Sequence, residues 1–408
     1  MNILFIGGYG NGTDANSVCI RNMANEMMTI GHKVWILAMG NDYVHTSAQQ
    51  DGVTLWELPM DYYRRLTARV TSSGNRMLRL WFKLVSLFRH VALLAYYPNT
   101  SPVRSRKLAA KAKALVKENN INVVVTIFNP FDNIYAGLKV KEAFGDNVKV
   151  VSYHLDLRTA SINPSERVRN YISKHAQASL VEESKTVDKV LIPYSGQKEA
   201  EQVVGINKEK LKFVGFPMYI KNTDRVALEL PFEKNTVNIS YIGSVSRENR
   251  DPNYVLSLLE RVAEKTGERI RVHFWGDMGD MEETIKGSSI AAYHGMMENR
   301  FSRYVMEESD FLLNIGNAIA FDMLPSKVFG MFATGKPIIN VIKHPKDATI
   351  PFFERYAYSI DIKEFENCAN DAERLAEGMT KLKMKTPHDV DSLFDGFTPA
   401  TICDIILK

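Results

Sequence analysis

Short apolar runs alternate with amphipathic helical patterns along almost the whole chain. In the first half, consecutive β-branched and other apolar residues are typical of strands buried on both faces of a parallel sheet. These predicted strands are residues 2–6, 33–38, 53–58, 122–127, 148–153, 189–192 and 212–215. Helices are predicted between them, among others at residues 14–30, 104–119 and 132–144. This alternation predicts a doubly wound α/β domain.

The second half repeats the pattern. Its predicted strands are residues 237–242, 270–275, 310–315, 337–341 and 357–362, and its predicted helices are residues 253–265, 298–308, 326–333 and 372–382. Residues 215–234 contain Gly215, Pro217 and Pro231 with little periodicity, so we place the hinge there. The pattern predicts two Rossmann-like doubly wound α/β domains, residues 1–220 and 221–408, that face a central cleft. The final helix could pack back on the N-terminal domain.

Composition narrows the class of protein. A length of 408 residues with 45% hydrophobic and 24% charged residues suggests two or three folded domains and excludes global disorder. The net charge of +4 is too small for a dedicated nucleic-acid binder. Three cysteines without a C-x-x-C pair exclude a disulfide framework and fit a reducing cytosol. The first strand begins directly after Met1, so we expect no signal peptide.

The near-balance of charge hides a basic segment at residues 60–117, with thirteen Lys and Arg residues and one acid, Asp61. Within it, polar residues recur with the spacing of one helical face and include Arg76, Arg79 and Lys83. A cationic face beside Trp81 suits an interfacial helix on an anionic membrane surface. An ordinary surface helix that packs on its own sheet is the alternative. Eight further basic residues enlarge the same patch, namely Arg64, Arg65, Arg69, Arg104, Arg106, Lys107, Lys111 and Lys113.

A glycine-rich loop at residues 7–13 follows the first strand and precedes the first helix. Gly7 and Gly8 would let the backbone approach a ligand, so we assign them to the acceptor site or cleft. A tight structural turn is the alternative. A dinucleotide site is the weakest hypothesis, because Thr13 stands where the third glycine of that fingerprint belongs.

Two further segments predict an anion site in the second domain. Gly243 follows a predicted strand, and Arg247 and Arg250 come within the next seven residues. Pro325-Ser326-Lys327 suits the start of a helix, whose free N–H groups and lysine attract an anion. Together they predict a site of diphosphate size, although Pro-Ser-Lys alone also suits a purely structural helix start.

His154 and Asp156 follow a strand of the first domain. Ligands of open α/β sheets bind at the carboxyl ends of the strands, so both residues are candidates for a site. A lone histidine with a purely structural role is the alternative.

The second half resembles the donor domain of GT-B glycosyltransferases, in particular the retaining, nucleotide-sugar-dependent family 4-like enzymes. The features that carry the resemblance are Tyr241-Ile242-Gly243 with Arg250 seven residues on, Trp275-Gly276, Tyr293-His294-Gly295, Ser309 to Leu313, and Pro325-Ser326-Lys327 followed by Thr334-Gly335-Lys336-Pro337. The first half agrees more loosely, at the Gly7-Gly8 loop and at residues 31–34 and 188–195.

The resemblance implies a role for each matching position. Arg250 would bind the donor diphosphate with help from Arg247, and the Gly243 turn and the amides near Ser326 would face phosphates. His294, Gly295 and Met296 would hold the nucleotide base. Asp322 would face the transferred sugar, and His154 would lie beside the donor, with Asp156 orienting it or contacting the acceptor. Gly330 stands where the family has a ribose-binding glutamate.

The expected activity is transfer of a sugar from a nucleotide diphosphate sugar to a hydroxyl of a membrane-associated or polysaccharide acceptor, either a saccharide or a lipid-linked one. The resemblance implies retention of configuration. No D-x-D motif offers an obvious site for a divalent ion, so we expect no metal and no cofactor. We expect a cytoplasmic protein, peripheral on the inner face of the membrane. A catalytically inactive GT-B module that binds a membrane or a partner protein is the alternative.

Overall fold

The chain forms two compact units. The computed structural model describes residues 1–9, 15–40, 46–50, 52–59, 66–67, 69–70, 75–94, 96–99, 101–155, 166–220, 226–319, 321, 324–325, 327–383 and 390–408. The first unit comprises Met1–Pro217 and Gly396–Lys408, and the second comprises Met218–Asp395. The chain therefore passes between the units twice.

The first unit is built on an eight-stranded sheet with the order β3-β4-β2-β1-β5-β6-β7-β8. Its strands are β1 (Asn2–Tyr9), β2 (Lys33–Met39), β3 (Thr46–Gln50), β4 (Val53–Leu58), β5 (Val123–Phe128), β6 (Lys149–His154), β7 (Lys189–Pro193) and β8 (Leu211–Val214). All neighbours pair in parallel except β3, which is antiparallel to β4 at the edge. Every predicted strand is present, and β3 is an addition that the sequence pattern did not predict.

Helices connect these strands in the doubly wound manner. They are α1 (Ala15–Thr29), α2 (Arg76–Leu94), α3 (Pro102–Glu118), α4 (Phe131–Phe144), α5 (Glu166–Thr186) and α6 (Gln197–Glu201). Ser101 caps α3 by accepting a hydrogen bond from the amide of Arg104, and Pro102 fills the first turn, where no amide partner is needed.

The second unit contains a six-stranded sheet with the order β11-β10-β9-β12-β13-β14, and all of its pairings are parallel. Its strands are β9 (Val237–Ile242), β10 (Ile270–Trp275), β11 (Ala291–Tyr293), β12 (Phe311–Ile315), β13 (Ile338–Ile342) and β14 (Ser359–Lys363). Its helices are α7 (Asn253–Thr266), α8 (Glu282–Gly287), α9 (Asn299–Glu308), α10 (Lys327–Phe332), α11 (Ile350–Phe353), α12 (Asp371–Lys383) and α13 (Asp391–Phe394). Both units are thus doubly wound and Rossmann-like, which confirms the predicted fold class.

The two faces of the second sheet differ in polarity. On one face, Tyr241 of β9 and Phe274 of β10 belong to a buried apolar cluster that includes Leu259 of α7 and Leu375 of α12. On the other face, the same strands bury polar side chains that alternate with the apolar ones. These polar residues are Asn238, Ser240 and His273. Buried polar groups need partners, so this face is the place to look for specific chemistry.

The last helix, α14 (Pro399–Leu407), belongs to the first unit and packs on α1. Lys149 and Lys189 donate from Nζ to the carbonyl oxygens of Leu407 and Ile405, at 2.9 and 2.8 Å. Lysines at the C-terminal end of a helix satisfy carbonyls that have no partner within the helix.

A glycine fixes the path of the chain into α14. The Gly215 amide donates to the carbonyl of Gly396 at 2.9 Å. A Cβ on Gly215 would lie 2.3 Å from the Phe397 ring, so only glycine allows this packing.

Candidate functional site

Three neighbouring strands of the second unit end in glycine turns that touch one another. Gly243, Gly276 and Gly295, after β9, β10 and β11, have φ angles of +146°, +126° and +78°. The Gly276 amide donates to the Gly295 carbonyl at 2.8 Å. A Cβ on Gly276 would lie 2.2 Å from the Gly243 carbonyl oxygen, so a side chain is excluded there. The turns form a continuous backbone surface at the ligand-binding edge of the sheet.

Lys327, the first residue of α10, brings its ammonium to this surface. Nζ lies 4.2 Å from the centre of the Tyr241 ring and 3.5 Å from the position that a Cβ on Gly243 would take. The Nζ atom is buried and has no hydrogen-bond partner in the described part of the chain. Burial, and then the nearby positive charge of Arg250, hold the pKa of Lys327 well below its ordinary value. A buried donor without an acceptor is unfavourable, and an anionic ligand would remove that penalty.

Arg250 supplies a second positive charge beside the same turn. Its Nε donates to Oδ1 of buried Asn317 at 2.7 Å, and Nη1 lies 3.4 Å from both the carbonyl oxygen and Oγ of Ser244. Tyr241 is held in the same loop, since its Oη donates to the Ser244 carbonyl at 2.6 Å. Burial raises the pKa of Tyr241 to about 12, so the hydroxyl stays protonated at neutral pH.

Arg247 lies apart from this pair. Its side chain is exposed and its Nε is 3.7 Å from Oδ2 of Asp280, while its amide donates to Asp280 Oδ1 at 3.1 Å. The structure therefore brings Gly243, Arg250 and Lys327 together and directs the Arg247 side chain to a surface ion pair.

The segment around α10 is only partly described. The helix is described from Lys327, and the carbonyl oxygen of Pro325 accepts from the Val328 amide at 3.3 Å. Asp322 and Ser326 lie outside the described residues. Gly330 is inside α10, and a Cβ there would meet Met306 Cε at 3.7 Å, which is an ordinary contact.

His294 lies beside the glycine turns on a stack of aromatic rings. Its ring is 4.8 Å from that of Trp275, with an angle of 30° between the planes, and it is in contact with His273. The neighbouring Met296 is exposed. His273 is not among the residues predicted for the site, but the alternation of His273 and Trp275 along β10 is a signal in the sequence that places both on one face.

In the first unit, His154 ends β6 and is buried. Its Nε2 lies 2.8 Å from Oε1 of Glu183, a fully buried residue of α5, and its ring stacks on Phe128. His154 lines a mainly apolar pocket between α5, β7 and α6. Asp156 lies outside the described residues. Glu183 is not among the residues predicted for the site, although Leu180, Glu183 and Val187 recur with the spacing of a buried helix face.

The glycine loop of the first unit is only partly described. Gly7 packs tightly, because a Cβ there would lie 2.9 Å from Cβ of Ile127. Gly8 has a φ of +69° and lies against Ser17 of α1. Residues 10–14, which complete the loop, lie outside the described residues.

Helix α2 carries the predicted membrane residues. Arg76, Arg79 and Lys83 are all exposed. The helix also exposes a row of apolar side chains, while Phe82 faces the protein. This apolar row is Met77, Leu80, Trp81, Leu84 and Phe88. No helix in the described part of the chain is long and apolar enough to cross a membrane.

The surrounding basic patch is smaller than predicted. Arg104 is buried rather than exposed, because it lies on the face of α3 that packs into the unit. Lys111 lies over the Trp56 ring, with Nζ 3.5 Å from the ring centre. Arg64 and Arg65 lie outside the described residues.

Comparison with known proteins finds similar folds among solved structures. No protein-family model matches the chain, and no curated protein sequence matches it. Solved structures do match over nearly its whole length. A UDP-GlcNAc 2-epimerase from Methanocaldococcus jannaschii is 11% identical with a TM-score of 0.55, over 100% of this chain and 99% of that one. The lipopolysaccharide outer core galactosyltransferase WaaB is 14% identical with a TM-score of 0.56, over 99% and 97%.

A third structure, Anabaena Alr3699/HepE in complex with UDP-glucose, is 12% identical with a TM-score of 0.57, over 100% of this chain and 98% of that one. At these identities the likeness shows the fold alone. The chain has the GT-B fold, which serves both glycosyltransferases and epimerases.

Proposed function

We propose that the protein is a glycosyltransferase that uses a nucleotide diphosphate sugar as its donor. The observation that carries the proposal is the ammonium of Lys327, which is buried beside the Gly243 turn and Arg250 and has no hydrogen-bond partner among the described residues. Two positive charges at the carboxyl edge of a doubly wound sheet match the diphosphate of such a donor.

In the proposed reaction the bond between the sugar C1 and the diphosphate oxygen breaks, and a bond from C1 to an acceptor hydroxyl oxygen forms. The diphosphate keeps the bonding electrons and gains negative charge, while the hydroxyl proton is released. Arg250 and Lys327 stabilise the departing diphosphate, and groups that are already in place there act most strongly in the transition state.

The resemblance of the sequence to family 4-like enzymes supports two finer parts of the proposal. The first is transfer with retention of configuration, with Asp322 facing the sugar and His154 beside the donor. Glu183 holds the His154 ring in one orientation. The second is that the leaving-group charge rests on Arg250 and Lys327 rather than on a divalent ion. Turnover that is insensitive to a chelator is the expected outcome.

The acceptor is proposed to lie at a membrane surface. Helix α2 exposes an apolar row next to Arg76, Arg79 and Lys83, and this combination suits the boundary between headgroups and acyl chains of an anionic leaflet. We accordingly propose a saccharide or lipid-linked acceptor and a peripheral location on the cytoplasmic face.

The test is donor turnover in a panel of nucleotide sugars, with pyrophosphate binding measured by calorimetry. Arg250→Ala and Lys327→Ala are each expected to lower turnover by about 100-fold or more. Arg269→Ala and Lys265→Ala are the matched controls, since both residues are exposed and form surface ion pairs with Glu233 and Glu373. The controls should keep wild-type turnover.

The outcomes separate the competing functions. Conversion of the donor sugar to an epimer, without transfer to an acceptor, would identify an epimerase. Pyrophosphate binding without any turnover would favour the inactive binding module. Turnover that survives both alanine substitutions would refute the proposed site.

A further inference from the structure

A chain of hydrogen bonds crosses three neighbouring strands and ends at the glycine turns. Oδ1 of Asn238 on β9 lies 3.0 Å from Nε2 of His273 on β10. The other ring nitrogen of His273, Nδ1, lies 3.0 Å from Nε2 of His294, which follows β11. Asn238 and His273 are buried and His294 is half-buried, so the chain leads from the interior to the surface of the site.

The Asn238 amide gives this chain a direction. Its Nδ2 donates to the backbone carbonyl oxygens of Glu233 and Thr236, at 3.1 and 3.0 Å. Its Oδ1 accepts from the Glu233 amide at 3.2 Å. The opposite orientation would set the amide oxygen against two carbonyl oxygens and is excluded. The oxygen therefore faces His273, and His273 must donate from Nε2.

The proton positions of both histidines follow from this direction. Burial lowers the pKa of His273 to about 4 and also lowers the pKa of His294, with the Arg271 charge acting in the same sense on each. Both rings are neutral at pH 7, and a neutral imidazole has one donor and one acceptor. His273 accepts at Nδ1, so His294 donates from Nε2 and keeps an unprotonated Nδ1.

The Nδ1 atom of His294 is an acceptor without a donor in the described part of the chain. The ring cannot turn easily, because it stacks on Trp275 and is bonded to His273. Two residues on, the amide of exposed Met296 donates to no described residue. The loop thus presents a fixed acceptor and an available backbone donor next to the diphosphate site.

We propose that His294 selects a nucleobase that carries a ring N–H, with His273 and Asn238 as positioning residues that hold its tautomer. Uracil, thymine and guanine carry an N–H beside a carbonyl oxygen, which matches an acceptor next to a backbone donor. Cytosine and adenine have a lone pair at the same ring position, which would face the lone pair of Nδ1. The inference rests on the proposed function and extends it to the class of donor nucleotide.

The test is calorimetric binding of UDP, CDP, GDP and ADP to the full chain. The comparisons are UDP with CDP and GDP with ADP, because the members of each pair differ mainly at this edge. We expect at least about tenfold tighter binding of the N–H base in the preferred pair, the cost of one unmatched polar group.

Variants of the two histidines test whether they cause the preference for a base with a ring N–H. His294→Phe keeps a flat ring on Trp275 but has no acceptor, so the preference should fall to near one. His273→Phe should weaken the preference and convert His294 to a mixture of tautomers, visible in the ¹⁵N shifts of its ring. His175→Phe, on half-buried His175 of α5, is the control and should change neither.

Pyrophosphate binding separates this inference from the proposed function. All variants should bind pyrophosphate like the wild-type protein, which also shows that they are folded. Equal affinities within both pairs, a preference that survives His294→Phe, or a protonated Nδ1 in the free protein would each overturn the inference. If neither pyrophosphate nor any of the four nucleotides binds, both the inference and the proposed function are refuted.

Discussion

The protein carries positive charge in two contrasting places. In the second unit, Arg250 and Lys327 lie in a loop-lined site, and the Lys327 ammonium is buried with no hydrogen-bond partner in the part of the chain that the structure describes. In the first unit, helix α2 exposes its charges to solvent beside an exposed apolar row. Water already solvates exposed charges, so a single exposed charge indicates no particular ligand. Exposed charges indicate a binding surface only when several of them lie together. A buried, unpaired charge is costly and so points to one particular ligand.

The strongest way to sharpen this contrast is Lys327→Met. The change removes the buried charge but keeps an unbranched chain of similar length, so donor turnover should fall by about 100-fold or more. The same change should stabilise the free protein by about 1–3 kcal/mol, because an unsatisfied group is lost. Steady-state kinetics and chemical denaturation measure the two effects. A variant that is both inactive and less stable would contradict the unpaired state of Lys327.

The exposed region is tested by neutralising Arg76, Arg79 and Lys83 together. Each basic residue near an anionic surface contributes about 1 kcal/mol, so binding to anionic vesicles should weaken on the order of 100-fold. Flotation with vesicles of mixed anionic and neutral lipid measures this loss of vesicle binding. Donor binding should not change. Neutralising Lys265, Arg269 and Lys286 of the second unit is the control, and an equal loss there would contradict a specific role of α2.

The buried site should also differ from the exposed region in pH dependence, because Lys327 has a shifted pKa. Its folded pKa is lowered from an ordinary value of about 10.4, so the unfolded chain binds the extra proton between the two values. Wild-type stability should therefore rise with pH in that window, relative to Lys327→Met. Pyrophosphate favours the charged form, so its binding should take up a proton there. Calorimetry in buffers of different ionisation enthalpy detects this uptake, and its persistence in Lys327→Met would contradict the assignment.

The smallest expected effect concerns Gly330. Gly330→Ala should stabilise α10 by about 0.5–1 kcal/mol, since the site has room for a Cβ. Gly330→Glu supplies a carboxylate that can accept from ribose hydroxyls, and donor binding should tighten severalfold relative to Gly330→Ala. Calorimetry with the nucleoside diphosphate compares the affinities of the two variants. Equal affinity of the two variants would mean that ribose is held elsewhere.

Much of the fold could be predicted because its strands are buried. Strands β9 and β10 have the predicted bounds, since apolar residues at alternate positions that are buried in the core leave little freedom in where a strand begins and ends. Strand β3 (Thr46–Gln50) is polar and lies at an edge, so no apolar run reveals it.

The candidate site was predictable in part. Gly243, Arg250 and Lys327 could be named from motifs, because turn glycines and basic residues have local signatures. The burial of the Lys327 ammonium and the bond between His154 and Glu183 could not, since each depends on residues that are distant in sequence. The order of proton donors from Asn238 to His294 likewise needs the registry of three strands.

The return of the chain into the first unit after Asp395 has a consequence for biosynthesis. Helix α14 is made after the whole second unit, yet Lys149 and Lys189 of the first unit donate to its carbonyls and Gly215 fits against Phe397 just ahead of it. A ribosome that has released only the first 217 residues has therefore released an unfinished unit. Folding from the N-terminus must wait for, or be completed by, a segment translated after the whole second unit.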